Sequence, residues 1–74
     1  MTDRDYLQAM HKNHRTILQI VGSAEFTFTR AIHQLSEMDY VTCHYAIKGC
    51  KAHKWITWYQ GMWELTDKGL RDYV

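Results

Sequence analysis

The 74-residue chain has no proline, four glycines and two cysteines. Without proline, glycine and the short polar residues must mark where its elements begin and end. Cys43 and Cys50 are too few for a disulfide framework, so a reducing compartment is expected. No apolar run approaches the ~18 residues that a membrane helix needs, and no membrane partner is expected. The opening residues, Met1 to Asp5, lack the basic and apolar segments of a signal peptide, which points to the cytoplasm. Paired-carboxylate motifs, a nucleophile elbow and a glycine-rich phosphate loop are all missing. A domain this short also has little room for a deep substrate pocket. Neither an enzyme nor a cofactor is expected.

What is present is the composition of a globular protein, 46% hydrophobic and 14% aromatic, which argues against a disordered chain. No repeat, linker or low-complexity tract divides residues 1–74, so one domain is expected. A domain of this size buries only ~60% of the surface its unfolded chain exposes, which leaves a thin core. Net charge is +1, but it is unevenly spread: residues 41–63 carry Lys48, Lys51 and Lys54 without one acid. His44 and His53 lie in the same segment. A local basic patch can meet phosphate even when the whole chain is near neutral.

The hydrophobic pattern predicts helices first. Thr2 is placed to cap a first helix, whose apolar positions are Leu7 and Met10. Asn13 and His14 could end that helix, and Asn13 could cap a second, over Ile17, Ile20 and Val21, that stops at Gly22. One continuous helix over residues 3–21 is equally compatible, because Leu7, Met10, Ile17 and Val21 nearly share a face. The clearest stripe follows: Phe28, Ala31, Ile32, Leu35 and Met38 predict a helix over about 27–37. After Asp39 the period falls to two. Val41, Cys43, Tyr45 and Ile47 alternate with Thr42, His44, Ala46 and Lys48, as in a half-buried strand. A loop over 49–54 and a second strand over about 55–65 come next. Thr66 can cap a short last helix holding Leu70 and Tyr73.

Two stretches resemble the winged helix-turn-helix family, in its MarR-like branch. Residues 17–35 are similar to the family's short helix, glycine turn and recognition helix, with Thr27-Phe28-Thr29-Arg30-Ala31-Ile32 at the recognition-helix start. Ser36 to Val41 fits the usual exit into the first wing strand. Trp63-Glu64-Leu65-Thr66-Asp67-Lys68-Gly69 resembles the end-of-wing signature: an aromatic, Leu-Thr, and glycine three residues on. The resemblance covers roughly residues 16–74. It implies an α+β fold of three helices, a two-stranded antiparallel wing and a short C-terminal helix. It also implies a DNA-binding regulator, expected to act as a dimer on a two-fold site.

In such a fold the recognition helix reads base edges in the major groove. The residues free to do so are Phe26, Thr27, Thr29, Arg30, His33 and Gln34. Arg30 suits guanine and Gln34 suits adenine; the threonines suit phosphate or a thymine methyl. Lys48, Lys51 and Lys54 are expected at the tip of the wing, on the phosphate backbone. The strand 55–65 is apolar on both parities, Trp55, Tyr59 and Trp63 on one and Ile56, Trp58 and Met62 on the other. Either a bulge at Gly61 buries the excess, or Trp55, Trp58 and Tyr59 form a partner or homodimer surface. That surface carries the alternative function, a protein-interaction module without DNA binding, which Glu25, Phe26 and the low net charge favour. Cys43, His44, Cys50 and His53 complete no recognised metal-ligand spacing, and Cys43 is expected in the core.

Overall fold

The computed structural model describes residues 3–73, and side chains from Met10 to Asp72. Thr2 as a cap, and the side chains of Leu7 and Tyr73, lie outside the described residues. The fold is α+β: α1 (Asp3–Ser23), α2 (Thr29–Ser36), α3 (Tyr40–Ala52), β1 (Ile56–Tyr59), β2 (Met62–Leu65) and α4 (Asp67–Tyr73). The two strands pair antiparallel.

Residues 3–23 form one helix, with no break at Asn13 or His14. Both are compatible with a helix interior, and burial decides the matter. His14, Ile17, Leu18 and Val21 are buried at i, i+3, i+4 and i+7, one helical stripe through the supposed junction. Gly22 falls in the last turn. Ala24 N–H still reaches the Ile20 carbonyl at 2.8 Å.

The segment expected to be the first wing strand is a helix. In α3 the buried residues are Cys43, Ala46, Ile47 and Cys50, again at i, i+3, i+4 and i+7. The period-two pattern misled because Val41 and Tyr45, which complete it, are exposed. A capping signal outweighs it: Asp39 accepts from Thr42 N–H at 3.1 Å and from Thr42 Oγ1 at 2.6 Å. This satisfies an orphan donor of the first turn. Only Glu37, Met38 and Asp39 separate α2 from α3, and Glu37 is left-handed, at φ 58°. The exit after Ser36 is therefore a helix–helix turn.

The hairpin is displaced with it. What was expected to be one long strand, 55–65, folds back on itself at Gln60–Gly61, both left-handed at φ 50° and 83°. Two such residues make the tight turn whose twist suits paired strands, and glycine takes one of them without strain. The register pairs Ile56 with Leu65, Thr57 with Glu64, Trp58 with Trp63 and Tyr59 with Met62. Ile56, Trp58, Trp63 and Leu65 thus share one face, and Thr57, Tyr59, Met62 and Glu64 the other. The apparent two-faced strand resolves into two ordinary ones, by a turn and not a bulge.

The order helix, helix, helix, strand, strand, helix agrees with the expectation, though different segments supply it. The N-terminal pair merges and a new helix replaces a strand. The core joins Ile17, Leu18 and Val21 of α1 to Ile32 of α2, the buried stripe of α3, Trp55 and Ile56. Fully burying one such isoleucine is worth ~1.5–3 kcal/mol. Trp55 is held by its indole N–H, which donates to Asp72 Oδ2 at 3.0 Å and so ties α4 to the hairpin base. Thr66 caps α4, its hydroxyl oxygen accepting from Gly69 N–H at 3.0 Å.

Candidate nucleic-acid interface

The exposed side of α3 carries Tyr40, Val41, His44, Tyr45, Lys48 and Lys51, and the helix contains no acidic residue. One side of this stripe opens into a groove of 580 Å³ between α3, the start of α2 and β2. Its walls include Thr29, Tyr40, His44, Lys48, Lys51 and Trp63. Two lysines share this lining with the rings of Tyr40, His44 and Trp63. The Tyr40 and His44 rings lie nearly parallel, 12° apart in plane with centroids at 6.1 Å. Lys51 Nζ stands 5.9 Å from the Trp63 ring centroid, within reach of the ring's negative face.

Position in the fold fixes several of these groups. Trp63 is anchored twice. Its indole N–H donates to Thr29 Oγ1 at 3.1 Å, and its backbone N–H donates to the Thr27 carbonyl at 3.0 Å. Thr27 answers with a hydroxyl bond to the Trp63 carbonyl at 2.6 Å. The segment before α2 is thereby clamped to β2, like a single rung of a third strand.

The opposite sign gathers at the other end of α3. Glu37 and Asp39 both precede its first turn and both are exposed. Hydrogen bonds from Thr42, the side-chain hydroxyl foremost, hold the Asp39 carboxyl below its ordinary pKa, so it stays ionised. The surface is therefore polarised along the helix, acidic before its N-terminus and basic over its C-terminal half.

The residues expected to read DNA are not brought together. Thr27 is buried and committed to Trp63, so it is withdrawn from any reading face. Phe26 is exposed and lies with Gln34 in a second, apolar groove between α1 and α2, lined also by Phe28 and Leu35. Thr29 opens on the basic groove instead. Arg30 is exposed, and His33 is half-buried, edge-on to Tyr40 at 5.7 Å. The expected α2 stripe is half in the core: Ile32 is buried, while Phe28 and Leu35 are exposed.

The lysines are not at a hairpin tip. Lys48 and Lys51 lie on α3, and Lys54 follows it in a left-handed conformation, at φ 63°. The tip is Gln60–Gly61, and the hairpin's only charged residue is Glu64. Of the expected partner surface, Trp55 is buried, whereas Trp58 and Tyr59 remain about half exposed. Tyr40, Tyr45 and Trp63 were missed. Placing α3 as a helix would have found the first two, since both then fall outside its buried stripe.

Cys43 is in the core as expected, and Cys50 with it. Burial raises both thiol pKa values, that of Cys50 to about 12. Among the described residues, no three His, Cys, Asp or Glu side chains are grouped to hold a metal ion. No described helix is long and apolar enough to cross a membrane.

Among protein-family models, curated proteins and solved structures, none matches the chain.

Proposed function

We propose that the protein binds double-stranded DNA through the exposed face of α3, in a winged-helix-like arrangement. The observation that carries this reading is the acid-free exposed stripe of α3, presented as the second helix after a three-residue turn. The second helix of such a pair is the one that enters the major groove. The groove-facing role thus moves from residues 27–37 to α3. Lys48, Lys51 and Lys54 serve phosphates, where contacts position the protein without carrying sequence information. His44 and Tyr45 are the side chains best placed toward base edges. Arg30, exposed on α2, is left as a flanking phosphate contact.

Fluorescence anisotropy with random-sequence duplex at several salt concentrations tests it. The expected result is micromolar binding that weakens steeply with salt, with log–log slope about −0.9 per phosphate met. Lys48→Ala and Lys51→Ala should each make that slope shallower by about 1. Absence of binding even at low salt rejects the proposal.

A second reading is favoured by one specific feature, the exposed apolar cluster of Phe26, Phe28 and Leu35 beside α1. Exposed patches of that kind mark protein-interaction surfaces. On that reading the chain is an adaptor, and Phe26→Ala, not Lys51→Ala, impairs it.

A further inference from the structure

The inner face of the hairpin outruns the core. Along it, Ile56 is buried, Leu65 and Trp63 are partly buried, and Trp58 is 50% exposed. Trp58 and Trp63 are cross-strand partners. Their rings meet at 72° with centroids 5.1 Å apart, so together they form an open aromatic corner. The Trp63 wall is immobilised by its bond to Thr29. Lys51 stands beside it, and no acidic side chain lines the adjoining groove.

We propose that this corner is a stacking platform for an unpaired base, so that the protein prefers DNA in which a duplex adjoins a single strand. The inference rests on the DNA-binding reading above and specifies its partner. An exposed indole face takes any base, because every base has a π-face, and a nearby cation holds the phosphate that follows it. A fully paired duplex offers no free base face along its length. Charge places the two halves of the site side by side. The acids before α3 turn phosphate away from the helix's N-terminal end, and the lysines draw it to the end next to the hairpin. A strand leaving a duplex bound there meets the corner directly.

The test compares three oligonucleotides of one sequence: a blunt 14-base-pair duplex, the same duplex with a four-base overhang, and the single strand. Anisotropy gives affinity, and tryptophan emission reports stacking. The overhang duplex should bind on the order of tenfold more tightly than the blunt one, with quenched emission. Trp58→Ala should abolish that advantage and leave blunt-duplex affinity unchanged, while Trp58→Phe should retain most of it. Equal affinity for blunt and overhang duplexes overturns the platform and leaves duplex binding intact. An overhang advantage that survives Trp58→Ala also overturns it. Failure of all three oligonucleotides to bind overturns the DNA reading itself.

Discussion

His14 is the one buried histidine, and its Nδ1 has no hydrogen-bond partner. Its ring sits edge-on to Trp55 at 5.7 Å and to His53 at 5.9 Å, and its backbone carbonyl faces Cys50 Sγ at 3.6 Å. Burial first, then the charges of His53 and His11, lowers its pKa from the ordinary 6.5. The unfolded chain therefore binds this proton more readily than the folded one. The stability that neutral His14 supports is fully present above about pH 6.5 and is lost as pH falls through the lower, folded value. Urea midpoints should be level from pH 8 to 7 and decline toward pH 5, and His14→Leu should flatten that decline. The same ring explains Gly49. A Cβ there would collide with His14 Nε2, on a ring that is itself buried. Gly49→Ala is expected to cost ~1–3 kcal/mol by overpacking, read from the urea midpoint at pH 7.5. A midpoint within error of the parent would show that the ring moves freely.

Between elements, the clamp of Thr27 on Trp63 holds the hairpin to the helices. Thr27→Val keeps the shape and deletes a buried hydroxyl, leaving the Trp63 carbonyl without its partner. A loss of ~1–3 kcal/mol is expected, together with faster hydrogen exchange at Trp63 N–H than at α1 amides. Uniform exchange in the variant would mean that the clamp is not what fixes the hairpin. This clamp also marks where legibility ended. Thr27 reads as a recognition-helix residue suited to phosphate or a thymine methyl, and nothing local reveals a partner 36 positions away. The cap at Thr66 was legible because it depends on neighbours in sequence, whereas Cys43 was placed in the core through a strand parity that happens to share it with the helical stripe. Of the buried stripe of α1, Ile17 and Val21 were legible; Leu18 and His14 were not, and continuity through Asn13 and His14 was left open. The nature of residues 40–52 was misread for a physical reason. Alternating apolar residues and a helical stripe overlap at Cys43 and Ile47, so pattern alone does not separate them. The Asp39–Thr42 cap does, and it was visible as Asp followed three residues later by Thr. The hairpin turn at Gln60–Gly61 was hidden because glutamine is an uncommon left-handed residue. The candidate surface moved with these two corrections: its lysines lie on α3 and just after it, not at a hairpin tip.

For the molecule as a whole, the consequential feature is a dipole of side-chain charge along α3 at a net charge of only +1. The helix has 13 residues and is thus ~20 Å long. Glu37 and Asp39 stand at one end and Lys51 and Lys54 at the other. If DNA meets the basic end, the acids act on it only through the long-range field. That field reaches ~30 Å at 0.01 M salt but ~8 Å at 0.15 M. Neutralising them should therefore strengthen duplex binding at low salt and change little at physiological salt. The suitable variant is Glu37→Gln with Asp39→Asn, since asparagine caps a helix about as well as aspartate. The expected outcome is severalfold tighter binding at 10 mM salt and parental affinity at 150 mM, by anisotropy with a blunt duplex. A gain that persists at 150 mM would place phosphate within ~8 Å of Glu37 or Asp39. DNA would then lie along the whole of α3, and the corner formed by Trp58 and Trp63 would be at the margin of the complex, not at its centre.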